Sequence, residues 1–180
     1  MLLLTSFDTW QPHQRSNSSD DLLNEISQRG LITQPCHFLR KIRVDFQTAP
    51  REVISTIDHL QPDVTICCGM AESRHTLTVE SNGKFQGNVL QTPIDLAALI
   101  KGTIATQISH DAGNFVCNHL YYSVLSHLRE TQSDIICLFV HVPLLNKQNL
   151  DIVMRDFLTI VHRLNRENVT DTIDQFRSYS

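Results

Sequence analysis

Two uninterrupted apolar runs, Asp-Val-Thr-Ile-Cys-Cys-Gly at 63–69 and Asp-Ile-Ile-Cys-Leu-Phe-Val-His-Val at 134–142, constrain this chain most. Each is strand length, and neither alternates with polar residues. A strand of that kind is covered on both faces. Helices must therefore lie above and below the sheet that holds them. The intervening sequence supplies helical spacing: Val116, Leu120, Val124 and Leu128 recur every four residues within Asn114–Glu130. The order of elements is a strand–helix alternation. Leu2–Phe7 reads as a buried strand, 18–30 as a helix started by Ser18-Ser19 and ended by Gly30, and His37–Phe46 as strand-bearing. Pro50–Leu60 reads as a helix, Thr76–Glu80 as a short strand, and 81–93 as a loop or small hairpin. Ile94–Ile104 reads as a helix, Thr106–His110 as a strand and Leu150–Leu164 as a long helix. The fold class expected is α/β: a single-domain three-layer α/β/α sandwich with a twisted, mostly parallel (mixed) central sheet over residues 1–180. Residues 166–180 are expected to form a polar C-terminal tail.

Several function classes are disfavoured. A net charge of −4 gives no electrostatic case for nucleic acid or an anionic membrane. No segment approaches the ~20 apolar residues of a membrane span. The opening Met1–Thr5 is too short for a signal core. The five cysteines (Cys36, Cys67, Cys68, Cys117, Cys137) form no CxxC pair, which suits reduced thiols and a cytoplasmic location. His110, Cys117, His119 and His127 match no zinc spacing, so no metal and no other cofactor is expected.

In an open α/β sheet, sites form beyond the carboxyl ends of strands. Glu80, Cys117 and His141 fall near such ends. Cys117 follows an Ala-Gly break at the opening of a helix-period run. The first turn of a helix offers unpaired N–H groups and a partial positive charge, which lower a thiol's pKa and hold an oxyanion. His141 is the one imidazole inside an apolar strand and suits a general base, with Glu80 to fix its tautomer. Each has a plainer reading: a packed core thiol, a structural histidine, a solvated glutamate.

Three segments resemble the pyroglutamyl peptidase I family of cysteine peptidases. Gly69-Met-Ala-Glu-Ser-Arg-His-Thr-Leu-Thr-Val-Glu80 is similar to the family's glutamate motif, Ala112-Gly-Asn-Phe-Val-Cys-Asn118 to its cysteine motif, and Phe139-Val-His-Val-Pro143 to the segment bearing its histidine. The order matches as well. The resemblance implies Cys117 as nucleophile, His141 as general base and acid, and Glu80 as the residue orienting His141. It places Phe7 and Trp10 on the positions that sandwich a flat lactam ring, and Val116 on an apolar wall. Met70 stands at a pocket position usually held by Gln. Arg74 is matched, with its contact to substrate left open. The implied partner is a peptide with an N-terminal pyroglutamate, and the implied assembly is a homodimer or homotetramer.

The chain departs from the family pattern around the pocket. Gln11-Pro12 stands where Gly-Gly is usual, Ser81 follows Glu80 where a basic residue is usual, and Asp111 replaces a small residue. The Ala-x-Asn after the glutamate is absent, and the stretch from Glu80 to Ile94 is short. These departures motivate an alternative: a catalytically weak or inactive member that binds a small ligand or a protein. A nucleoside-phosphorylase-like transferase is a third reading, disfavoured because no Gly-rich phosphate loop is evident.

Overall fold

The computed structural model describes residues 1–177, with side chains described through residue 165. Strands β1 (Leu2–Phe7), β2 (Cys36–Ile42), β3 (Val64–Met70), β4 (Leu77–Glu80), β7 (Thr106–Ser109) and β8 (Ile136–Val142) form one sheet in the order β2-β1-β3-β8-β4-β7. Strands β5 (Asn82–Phe85) and β6 (Asn88–Gln91) pair separately as an antiparallel hairpin. The sheet is mixed. β2, β1, β3 and β8 run parallel, β4 meets β8 antiparallel, and β4 and β7 run parallel to each other.

Helices α1 (Ser18–Gln28) and α5 (Leu150–Arg177) cover one face, joined by the short α3 (Leu96–Leu99). Helices α2 (Thr48–Leu60) and α4 (Val116–Glu130) cover the other. Both apolar runs are central strands. In β3, Val64, Ile66 and Cys68 face α1 and α5, whereas Cys67 faces α4. In β8, Leu138, Val140 and Val142 take the first face, and Cys137 and Phe139 the second. Strand side chains alternate between faces, so His141 shares the α4 side with Cys137 and Phe139. In β4, Leu77 and Val79 point to α1 and α5. Glu80 therefore turns toward α4 as well.

The elements depart from expectation in several places, each with a local cause. Strand β2 ends at Ile42, because Lys41 takes a left-handed conformation (φ 58°) beside a register shift against β1. Helix α2 begins at Thr48, where the Asp45 carboxylate accepts the N–H groups of Gln47 and Thr48. Pro50 sits in the first turn, where no intrahelical donor is lost. Asn17, rather than Ser18 or Ser19, caps α1 by accepting from the Ser19 N–H at 3.0 Å. The helix expected over Ile94–Ile104 shrinks to Leu96–Leu99. The buried Asp156 carboxylate takes the N–H groups of Ile104 (3.0 Å) and Ala105 (2.6 Å) and turns the chain into β7. Helix α5 runs past Leu164 to Arg177, so the backbone of the expected tail is helical through that residue; the tail's side chains lie outside the described residues.

Among the described residues no helix is long and apolar enough to cross a membrane. All five cysteines are free thiols.

Candidate active site

The site lies at the carboxyl ends of β3 and β8. Cys117 is the second residue of α4, so its backbone N–H has no intrahelical acceptor. Phe115 precedes the helix in extended conformation, and Gly113 before it has φ 78°, a turn that L side chains disfavour. Asn118 fixes this loop. Its amide nitrogen donates to the Gly113 carbonyl, and its Oδ1 accepts the Lys84 N–H at 2.6 Å from hairpin strand β5.

Gly69 is required by a close approach of the Cys117 sulfur rather than by a turn. It lies inside β3, and a Cβ there would stand 2.8 Å from Cys117 Sγ and 3.0 Å from the Phe139 ring. The sulfur rests over the strand, in the space that only glycine leaves open. Gly83 plays a parallel part, since a Cβ there would meet the Tyr122 backbone nitrogen at 2.4 Å and lift the hairpin off α4.

His141 is buried, and its Nδ1 is 2.7 Å from Glu80 Oε1. A carboxylate only accepts, so the proton is assigned to Nδ1 and Nε2 is left as an acceptor. The Phe139 ring flanks the imidazole, with ring centroids 4.9 Å apart. Glu80 is fully buried, and its Oε2 has no hydrogen-bond partner among the described residues. Burial pushes the Glu80 carboxyl up. The hydrogen bond and charge of His141, with help from Ser109 and Arg74, outweigh burial and leave the group below its ordinary value. Burial also lowers His141, and Arg74 adds to that, against the opposing pull of Glu80. The resting pair is a carboxylate and a neutral imidazole.

At Cys117 the helix start that lowers a thiol's pKa is opposed by burial. Burial pushes it up to about 12, with Glu80 and Cys67 adding to the rise. Its own backbone N–H and Arg74 pull the other way without overcoming burial. Desolvation of the anion wins over the helix terminus here.

Cys117 and His141 both line a cavity of about 490 Å³. Phe7, Trp10, Met70 and Val116 line it too, so all four residues expected to meet a substrate are brought together there. Phe7, Met70 and Val116 are buried, while Trp10 stands at the exposed rim. Met70 turns its sulfur to the first N–H of α1, at 3.3 Å from Ser18 N. The loop bearing Trp10 is tied across the cavity: His13 (3.1 Å) and Gln14 (2.6 Å) both reach the Glu72 carboxylate. Sequence reasoning assigned no role to Val44, Glu72, Asn118 or Phe115. Asn118 lies inside the matched cysteine motif, and its position there is the one signal that could have marked it. Among the described residues, no group of three or more His, Cys, Asp or Glu is placed to hold a metal ion.

The pyroglutamyl peptidase family model matches residues 90–164, a span that contains Cys117 and His141. A pyrrolidone-carboxylate peptidase of a Thermoanaerobacter species is 29% identical over 83% of this chain and 85% of its own length. That of Bacillus subtilis is 25% identical over 83% of this chain and 81% of its own. In sequence the chain is similar to the pyroglutamyl peptidases. Solved structures share its fold. Pyroglutamyl peptidase I from Bacillus amyloliquefaciens superposes with a TM-score of 0.73, covering 89% of this chain and 92% of its own, at 22% identity. A mutant pyrrolidone carboxyl peptidase from Pyrococcus furiosus does so at 0.78, covering 92% of this chain and 98% of its own, at 16% identity. At those identities the likeness is one of fold.

Proposed function

We propose that this protein is a member of the pyroglutamyl peptidase family, a cysteine peptidase that removes an N-terminal pyroglutamyl residue through Cys117, His141 and Glu80. The observation that carries the reading is one apolar cavity lined by both the Cys117 thiol and a histidine already bonded to a buried carboxylate.

The chemistry follows from the resting charges. Cys117 waits as a neutral thiol, and His141 as a neutral base with Nε2 free to accept. Attack on the pyroglutamyl acyl carbon transfers the thiol proton to Nε2, and Glu80 stabilises the imidazolium that forms. The developing oxyanion is met by N–H groups at the start of α4. The imidazolium returns its proton to the leaving amine, and a thioester remains. Water, deprotonated by His141, then releases pyroglutamate and restores the thiol. Phe7, Trp10, Met70 and Val116 form the slot for the lactam. It accepts an uncharged ring and rejects a free α-amino group, because an unpaired buried ammonium is costly.

No metal or organic cofactor enters these steps. The chain acts as a single catalytic domain, in the cytoplasm where its thiols stay reduced. Assembly as a homodimer or homotetramer is carried over from the family resemblance.

The departures at Gln11-Pro12 and at Ser81 beside Glu80 favour a second reading, a protein that binds without turnover. Hydrolysis of pyroglutamyl, prolyl and alanyl reporter amides, with Cys117→Ala as control, separates the two. The enzyme reading expects selective pyroglutamyl cleavage that vanishes in the variant. Cleavage that survives Cys117→Ala, or none by the unmodified protein, removes it.

A further inference from the structure

Arg74 sits in the loop between β3 and β4, six residues before Glu80, and its side chain is mostly buried at the cavity wall. It makes an unusual set of contacts. Nη1 donates to Glu80 Oε1 at 2.5 Å and to Thr78 Oγ1. That oxygen of Glu80 is the same one His141 Nδ1 uses. Nη1 also stands 3.5 Å from His141 Nδ1, where two nitrogens that both carry hydrogen meet without bonding. Nη2 donates to Ser109 Oγ at 3.2 Å and to the Asp111 carbonyl at 2.8 Å. Asp111 opens the loop that leads through Gly113 to Cys117.

We propose that Arg74 is a positioning residue, which couples the Glu80–His141 pair to the loop carrying Cys117 and so sets ring and sulfur in one frame. This deepens the peptidase reading and rests on it. One guanidinium spans both halves of the site because its nitrogens form a rigid planar fork. Nη1 holds the base's carboxylate, and Nη2 holds the nucleophile's loop. The same cation tempers Glu80. A lone carboxylate would draw a proton onto His141; one shared with Arg74 orients the ring and leaves it neutral. The charged groups facing His141 are Glu80 from β4 and Arg74 from the preceding loop, and Cys117 from α4 shares its cavity. Asp111 at the rim lies 3.4 Å from Lys84, which offsets its charge.

The test uses the full chain with Arg74→Gln and Arg74→Lys. Three quantities are read: kcat/KM against pH on a pyroglutamyl reporter amide, the His141 ring titration by NMR, and thermal stability. Removing a cation beside a base raises that base's pKa. Arg74→Gln is therefore expected to move the His141 titration, and the acid limb of kcat/KM with it, upward by about one pH unit. It is also expected to lower kcat/KM by about 100-fold, as misplaced reacting groups do. Arg74→Lys keeps the charge, so the titration stays within a few tenths of a unit of the unmodified protein. Its single ammonium cannot reach both Glu80 and Asp111, so its rate recovers only partly.

An unmoved His141 titration in Arg74→Gln overturns the proposal, even if rate and stability fall together, since that is what a merely structural arginine does. Arg74→Lys turning over at the unmodified rate overturns it as well, and decides the matter if Arg74→Gln does not fold. If the unmodified protein cleaves no reporter, the peptidase reading fails separately, and the His141 titration still decides the role of Arg74.

Discussion

Gly69→Ala is the sharpest probe of how the site is packed. The added Cβ would lie 2.8 Å from Cys117 Sγ and 3.0 Å from Phe139 Cζ. An unstrained contact needs about 3.5–4.0 Å, so one neighbour must retreat by roughly 1 Å. Phe139 is fully buried and packed between Tyr121 and His141, so it yields little. Cysteine has a single side-chain torsion, and the sulfur yields by turning about it, away from the cavity. Overpacking of this kind costs about 1–3 kcal/mol of stability. A displacement of ~1 Å at a reacting atom costs about 100-fold in rate. Turnover should therefore collapse while the protein stays folded. Steady-state kinetics on a pyroglutamyl reporter and urea unfolding measure the two effects. A double-mutant cycle isolates the sulfur. In a Cys117→Ala background the stability penalty of Gly69→Ala should shrink by about 0.5–1.5 kcal/mol, leaving the part owed to Phe139. Kinetics for Gly69→Ala within roughly twofold of the unmodified protein, or a penalty unchanged by Cys117→Ala, would refute the placement of the sulfur over β3.

Other consequences follow from the same geometry. Since burial holds the Cys117 thiol up, its alkylation by iodoacetamide should keep accelerating past about pH 9, beyond an ordinary thiol's midpoint; a plateau reached below neutrality would show a preformed thiolate–imidazolium pair instead. Asp156→Ala strands the N–H groups of Ile104 and Ala105 and the Thr106 hydroxyl, and should cost about 2–5 kcal/mol in urea unfolding; a change under about 0.5 kcal/mol would discount that anchor. Trp10→Ala removes a rim wall of the cavity without touching Cys117 or His141. It should raise KM severalfold with kcat little changed, as loss of uniform binding does; an unaltered KM would take Trp10 out of the slot.

Much of this was legible in the sequence, and the reason is physical. Runs such as 63–69 and 134–142 have one stable home, a doubly covered strand, and period-two alternation then fixes which side each residue faces. That alternation puts Glu80 and His141 on the α4 side. Helix boundaries were less legible where a distant residue sets them. Ile94–Ile104 carries helical spacing, but Asp156, some fifty positions later in the chain, captures its end. The lowering of the thiol's pKa expected at Cys117 is opposed for a similar reason. A helix start is a local signal, whereas the burial that overrides it comes from β3, β8 and the cavity walls. Arg74 could be matched to a motif but not given a job, because its partners at Glu80, Ser109 and Asp111 meet only in space.

The most direct measurement is to catch the acylated protein. Acid quenching during turnover of an activated pyroglutamyl ester, followed by intact-mass and peptide mapping, should show one added pyroglutamyl group, carried on Cys117. The adduct should be absent from Cys117→Ala and strongly reduced in His141→Ala. An acyl group found on another residue, or turnover that proceeds with no adduct on Cys117 at any quench time, would contradict the account.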